Sequence, residues 1–351
     1  MRSSPSRVLS WSLAALTAVL AAAPAHAQGA ATGWRFAAPE GARAMFAVLS
    51  GARFEGVGPL HFYKRAGDAP IVPDSLRRAL TRDASFEVLH FFPLYLPLGD
   101  ARLAAAALRG AASGRVPSAG HPAAFATAAL ASVLPRDDQR ATLTALASTV
   151  ERAASSLAPV PDSRVAELQR RWDTQFAPRL APYLNAQRLA GGIILLSESL
   201  GPEGRIFGGR PDDATDNVVA VTLLPAAPTS DDATLFAVVR ELCFPLVTRL
   251  ASRQRATAAG RDVEAARASL AAVRCGEQLT ARALPELAAE YRRQWMSLAG
   301  RTASTDPTAF QEAFPIDSSF DQAIAVELSR IYPARPASRR AAQSFHTPSP
   351  S

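Results

Sequence analysis

The sequence predicts an α+β protein, a mostly helical single domain with a small antiparallel sheet beside one long core helix. Ala-rich segments with apolar residues at three- and four-residue steps recur through most of the chain. Two short apolar segments, 191–199 and 217–225, read as strands joined by a Gly/Asp-rich loop, and the long helix follows them. We find no repeat at a fixed period, so a solenoid is not expected.

The first 27 residues have the composition of a secretory signal peptide. Arg2 and Arg7 supply positive charge, residues 8–23 are apolar, and residues 25–27 read Ala-His-Ala, a small-x-small cleavage site. That apolar segment is short for a membrane span, and no later segment is apolar over the ~18 residues that a span needs. The protein is therefore predicted to be exported, to the periplasm or beyond the cell, with no membrane span in the mature chain.

The folded domain is predicted to cover residues 34–334. The lead at 28–33 and the Pro-, Ser- and Arg-rich tail at 335–351 are predicted to be disordered. Within the domain, residues 34–36 and 43–49 read as short strands, and Asp74 begins a helix. The patterns at 100–108, 121–157 and 163–184 are helical, and Trp172 and Phe176, four residues apart, are expected to face the core.

Composition excludes several kinds of function. The formal charge of +7 becomes +5 when Arg2 and Arg7 leave (7 − 2 = 5), and the basic residues are interspersed with acidic ones. Nucleic-acid binding, which needs a clustered basic patch, is not expected. No phosphate-binding loop, dinucleotide fingerprint or serine-hydrolase motif occurs, so no cofactor is predicted.

Scattered polar residues give no metal site. The histidines outside the signal peptide and tail stand alone in sequence and are interpreted as core residues: His61, His90 and His121. Three aspartates of one Gly-rich loop lack the spacing of a calcium loop and its closing Glu: Asp212, Asp213 and Asp216.

The organising element is a helix that begins at Ser230 and continues to about residue 255. Ser230, Asp231 and Asp232 suit a helix N-terminus, and apolar residues then recur on one face. Pro245 lies inside this pattern and predicts a kink, because it cannot donate to the carbonyl of Glu241.

Glu241 is unusual because its neighbours along this helix are mostly apolar, and a carboxylate there is costly unless it is paired. Residues 240–244 read Arg-Glu-Leu-Cys-Phe. In the motif H-E-x-x-H, two His four residues apart bind zinc and the Glu acts as general base. The stretch resembles the active-site helix of the H-E-x-x-H zinc metallopeptidases, with Arg240 and Phe244 in place of both His.

The resemblance extends over roughly residues 160–300. Strands, then the motif helix, then a later helix with a Glu is the order in the peptidases whose third zinc ligand is a glutamate. Glu290 matches that third position, although Glu286 competes for it. The resemblance implies a protein with no metal and no catalytic residues, which retains the cleft to bind a peptide or protein. Arg240 would pair with Glu241 or Glu290, and Phe244 would fill the second ligand's place.

Other interpretations stay open. In a second interpretation, Arg240 and Glu241 form only a half-solvated salt bridge on an amphipathic helix. The protein would then be a helical interaction or structural protein of the envelope, with no peptidase ancestry. A metal-free hydrolase that uses Glu241 is a third hypothesis, for which no nucleophile or second acid is evident in the sequence.

The two cysteines lie at matching distances from a predicted turn. Cys243 is 16 residues before Ala259 and Cys275 is 16 residues after it. In an antiparallel helix pair that turns near Ala259, the two side chains reach the same level. An oxidising compartment favours a disulfide there, and closing this loop would contribute about 3 kcal/mol. Two free buried thiols are the alternative.

Overall fold

The computed structural model describes residues 33–52, 62–64, 72–90, 99–118, 121, 123–207, 213–215, 217–225, 230–253 and 261–333. The predicted signal peptide, residues 28–32 of the lead and the predicted tail lie outside the described residues, as do His61, Asp212 and Asp216. The structure is 68% helical, with a small four-stranded sheet, which confirms the mostly helical α+β class.

Twelve α-helices lie in the described ranges. In chain order they are α1 Glu40–Gly51, α2 Asp74–Arg82, α3 Ala101–Ser113, α4 Ala124–Val133, α5 Asp137–Ser156, α6 Asp162–Arg171, α7 Ala177–Ala186, α8 Ser230–Arg253, α9 Arg261–Ala283, α10 Ala288–Leu298, α11 Pro307–Ala313 and α12 Ser318–Ile331. Short 3₁₀ helices cover Ala84–His90 and Pro285–Leu287, and a π-helix covers Trp172–Phe176. None of the helices described here is both long and apolar enough to span a membrane.

The sheet is mixed, which corrects the prediction of an antiparallel sheet. Its strands are β1 Trp34–Ala37, β2 Gly192–Ser197, β3 Arg205–Phe207 and β4 Val218–Thr222. The order is β1-β2-β4-β3, in which β1, β2 and β4 run parallel and β3 is antiparallel to β4. The two predicted strands, β2 and β4, are parallel because the chain between them reverses twice, and the short strand β3 lies within that connection.

The sheet separates two helical layers. Ile194 and Leu196 of β2 belong to one apolar cluster, together with β1, the π-helix and residues of α6 to α12. Leu195, on the opposite face of the same strand, belongs to the cluster formed with α1 to α5. Both faces of the sheet are therefore buried, which is typical of parallel strands.

The segment 43–49 is helical rather than a strand. It lies inside α1, where every residue from Gly41 to Ser50 is buried. A helix that is buried on all sides has no polar face, so its sequence cannot be told from a buried strand by periodicity.

The free edge of β1 is covered by a side chain of α6. The Gln169 amide nitrogen donates to the Trp34 carbonyl, and its amide oxygen accepts from the Phe36 N–H, both at 2.9 Å. Trp172 and Phe176 are fully buried with stacked rings, as expected. The Gln169 side chain thus satisfies two backbone groups on the outer side of β1, and the Trp172 ring packs against Phe36 of the same strand.

The predicted long helix is α8, and it packs against β3, β4 and α9. Helix α9 in turn packs closely on α10 at Gly276, where an added Cβ would lie 2.1 Å from the Tyr291 hydroxyl oxygen. That hydroxyl donates to the Val273 carbonyl at 3.1 Å. Only a glycine at residue 276 allows this contact.

We expect Gly276→Ala to destabilise the protein by about 1–3 kcal/mol, because the steric overlap outweighs the better helix propensity of alanine. Urea unfolding measures the change. Tyr291→Phe removes the atom that the new methyl group meets, so the double variant Gly276→Ala/Tyr291→Phe should lose less stability than the two single changes combined. Additive losses would contradict the proposed overlap.

Candidate functional site

Arg240 and Glu241 form a buried ion pair on α8. The side chain of Arg240 is 0% exposed and that of Glu241 is 1% exposed. An Arg240 Nη1 hydrogen bond to Glu241 Oε1 joins them. The interpretation of a half-solvated surface pair is therefore wrong. Since an unpaired charge at this depth is very costly, each residue depends on the other.

Glu241 also accepts a backbone hydrogen bond from outside its helix. The N–H of Gly204, the residue just before β3, donates to Glu241 Oε1 at 2.9 Å. A Cβ at residue 204 would lie 2.7 Å from Glu241 Cγ and 2.5 Å from the Ala220 carbonyl oxygen. Glycine is thus required for the backbone to approach the carboxylate, and the same carboxylate oxygen holds two donors.

Arg240 links α8 to α9. Its Nη2 donates to Ser269 Oγ at 2.8 Å and to the Ser269 carbonyl at 3.3 Å. Its guanidinium carbon lies 5.8 Å from the centroid of the half-buried Phe244 ring. The two positions that would carry zinc ligands in the resembling peptidases therefore lie side by side, as a cation next to an aromatic ring.

Glu203 is a second buried carboxylate that the sequence analysis missed. Its Oε1 lies 3.0 Å from Arg205 Nη1 and 3.9 Å from Arg240 Nη2. Its Oε2 is buried without a hydrogen-bond partner in the structure. The sequence analysis assigns residues 201–209 only to the Gly/Asp-rich loop between the two predicted strands. The signal available there was an acidic residue next to a glycine.

Glu290 lies outside this cluster. It forms an ion pair with Arg293, and it accepts from Gln294 Nε2 at 2.7 Å, both within α10. The competing candidate, Glu286, pairs with Arg179 at the surface. Of the two predicted partners for Arg240, the structure places Glu241 and not Glu290 against it.

Polar contacts continue from Arg205 toward the other helical layer. The Arg205 guanidinium carbon lies 4.3 Å from the centroid of the Phe62 ring. Next to Phe62, the Tyr63 hydroxyl and His90 Nδ1 are 2.8 Å apart. Burial, and secondly the charge of Arg205, lower the pKa of His90 to about 3. His90 is half-buried against the Phe62 and Tyr63 rings, which agrees with its interpretation as a core residue. His121 is exposed, so the same interpretation is wrong for that residue.

The two partners of the central pair respond to burial in opposite ways. Burial raises the pKa of the Glu241 carboxyl, although Arg240 opposes the shift. Burial acts to lower the pKa of Arg240, but the charges of Glu241 and Glu203 outweigh it and raise that pKa. We take the ionised pair as the resting form, because arginine does not deprotonate in proteins and an uncompensated buried guanidinium would cost more.

These residues do not provide the ligands that hold zinc in the peptidases that the sequence resembles. A zinc site needs about three nitrogen, sulfur or oxygen ligands. Here a guanidinium, which has no lone pair to donate, and a phenyl ring hold the two ligand positions. Within the described ranges, no group of three or more His, Cys, Asp and Glu residues is arranged to hold a metal ion.

The two cysteines come together between α8 and α9. The sulfur atoms of Cys243 and Cys275 lie 2.6 Å apart, and both residues are fully buried. The two are present as free thiols in this structure. The predicted proximity is confirmed, and the covalent bond stays a prediction.

Comparisons with known proteins add no family assignment. No protein-family model matches the chain, and neither a curated protein nor a solved structure does.

We expect Arg240→Met to destabilise the protein by about 3–5 kcal/mol, because it removes the charge paired with Glu241. It leaves two buried carboxylates, Glu241 and Glu203, with Arg205 as the remaining nearby cation. Guanidinium unfolding of Arg240→Met, Glu241→Leu and the double variant measures the coupling. The double variant should lose much less than the sum, since no charge of the pair remains unpaired. Arg170→Ala, at the exposed Arg170–Glu167 pair, is the control and should leave the unfolding midpoint unchanged. A small effect of Arg240→Met would contradict the burial of the pair.

Acid should destabilise the protein through His90. Its folded-state pKa is lowered, so the unfolded chain takes up a proton below pH 6.5 while the folded protein does not. Stability is therefore complete above pH 6.5 and falls as the pH drops toward 3, by up to about 1.4 kcal/mol per pH unit. The variant His90→Asn retains an acceptor for Tyr63 and should lose less stability between pH 6.5 and pH 4. Parallel pH profiles of the two proteins would contradict this assignment.

Proposed function

We propose that this protein is exported and acts by binding a peptide or protein, on a scaffold that resembles a zinc metallopeptidase but performs no catalysis. The proposal rests on the burial and the hydrogen bonding of Glu241. The carboxylate that would serve as general base is buried, and one of its oxygens already holds Arg240 and the Gly204 N–H.

A general base has to reach the proton that it removes, directly or through one water. Glu241 is 1% exposed, and Arg240 neutralises its charge from the position where the first zinc ligand would lie. Arg240 supplies a fixed positive charge but cannot bind and activate a water as a metal does. This arrangement favours a structural role for the Arg240–Glu241 pair. We therefore expect exposed residues to carry out the function.

The exposed side chains indicate what kind of partner the protein could bind. Among the residues whose placement is described, the exposed large hydrophobic side chains are Val116 and Val326. These two residues do not form the broad apolar patch that marks a hydrophobic docking site. Across the described surface, a peptide or protein partner would accordingly meet mainly charged and polar groups.

One observation favours the alternative of a helical envelope protein that has no peptidase ancestry and serves in interaction or structure. Glu290, the residue that carries the third-ligand resemblance, pairs within its own helix. In that alternative the buried pair is a packing device of α8, and the likeness to the zinc motif is a coincidence of sequence.

The test uses the chain expressed with its own N-terminal segment and purified from the exported fraction, where the mature protein should begin at Gln28. After incubation with Zn²⁺ and desalting, we expect much less than one zinc per chain. Fluorescein-labelled casein peptides, a mixed peptide probe, should bind saturably without being cleaved. Arg240→His/Phe244→His restores the two imidazoles, and gain of zinc by this variant would support the peptidase-like geometry over the alternative.

Stoichiometric zinc in the unmodified protein, lost in Glu290→Ala and retained in Glu286→Ala, would overturn the non-catalytic interpretation. So would casein hydrolysis that disappears in Glu241→Gln. Failure to bind any casein peptide, with no zinc taken up by the restored variant, would favour the structural alternative.

A further inference from the structure

Helices α8 and α9 are joined by two side-chain links that lie close together. Cys243 and Cys275 form one, and the hydrogen bonds from Arg240 to Ser269 form the other. On α8 the two links are three residues apart, which is less than one helical turn. Any change in how α9 sits against α8 therefore acts on both.

The sulfur pair is enclosed by the core. Both cysteines are fully buried, and the Tyr183 hydroxyl donates to the Leu242 carbonyl beside them at 3.1 Å. Burial raises the pKa of the Cys275 thiol well above its ordinary value. Since the thiolate is the reactive form, an oxidant could act on these residues only before the core closes.

We propose that Cys243 and Cys275 form a disulfide while the chain folds, and that this bond fixes α9 against α8 so that Arg240 stays bonded to Ser269 and Glu241. The inference rests on the export half of the proposed function for its oxidising compartment. It adds that assembly of the buried ion network around Arg240 and Glu241 depends on this disulfide.

The oxidant is a disulfide, either of small-molecule or of protein origin. The thiolate of one cysteine attacks a sulfur of that disulfide and expels one thiolate. The second cysteine then attacks the mixed disulfide at the first cysteine's sulfur, expels the second thiolate and closes the new bond. Two protons and two electrons thereby pass from the cysteines to the carrier, which leaves as two thiols.

The first measurement is a thiol count that does not depend on export. The purified full chain is unfolded, refolded with oxidised and reduced glutathione or with dithiothreitol alone, then denatured and alkylated with iodoacetamide. We expect no alkylated cysteine in the intact mass after oxidative refolding, and two after reductive refolding. Two alkylated cysteines after oxidative refolding would overturn the bond, whatever the zinc and casein results are.

The second measurement tests the link to Arg240. The oxidised protein should melt about 5 °C higher than the reduced one. The amide of Gly204, which donates to Glu241, should exchange its hydrogen about tenfold faster in the reduced protein, while amides of α5 in the other helical layer stay unchanged. Equal protection of Gly204 in both forms, or equal loss in α5, would overturn the coupling.

The variant Cys243→Ala/Cys275→Ala is the control. Its melting temperature and its Gly204 exchange should be the same under oxidising and reducing conditions. A redox dependence that persists without the cysteines would overturn the assignment to this pair. If the variant does not fold, the thiol count of the unmodified chain still decides whether the bond forms.

Discussion

The ion pair between Arg240 and Glu241 constrains everything around it, because neither charge can be stable at this depth without a complete set of partners. The fold supplies those partners from two separate elements, the segment just before β3 and helix α9. Gly204 just before β3 brings a backbone N–H to the carboxylate, Ser269 of α9 receives the guanidinium, and Glu203 adds a second negative charge. The sheet and both helices must therefore be in place together before the pair is stable.

This requirement explains the position of the pair in the molecule. Helix α8 lies against the two neighbouring strands at one end of the sheet, β3 and β4, and it has α9 on another side. Arg205 then extends the polar contacts to Phe62, which belongs to the cluster around α1 to α5. Contacts from Ser269 through Arg240, Glu203 and Arg205 to the Phe62 ring thus connect the two helical layers at the edge of the sheet.

Much of this was accessible from sequence. Amphipathic spacing predicted α8, and the apolar neighbours of Glu241 indicated a carboxylate that needs a partner, although a half-solvated pair stayed open. The helix count from Ala259 predicted the meeting of Cys243 and Cys275. Local patterns are sufficient for these features, because each depends on residues of one helix or one helix pair.

The remaining features could not be predicted, because they depend on contacts between segments that are distant in sequence. Glu203 and Ser269 join Arg240 through the tertiary arrangement, and the sequence around them does not indicate Arg240 as their partner. The parallel pairing of β2 and β4 was missed because the short strand β3 lies within what read as a loop. The fully buried α1 was mistaken for a strand because it has no polar face.

Gln169 gives the molecule one more property. A parallel strand at the border of a sheet normally presents a row of unpaired amide and carbonyl groups, to which a foreign strand can add. By bonding the backbone at Trp34 and Phe36, the Gln169 amide occupies part of that row. The addition of a foreign strand at this edge of the sheet is thereby hindered.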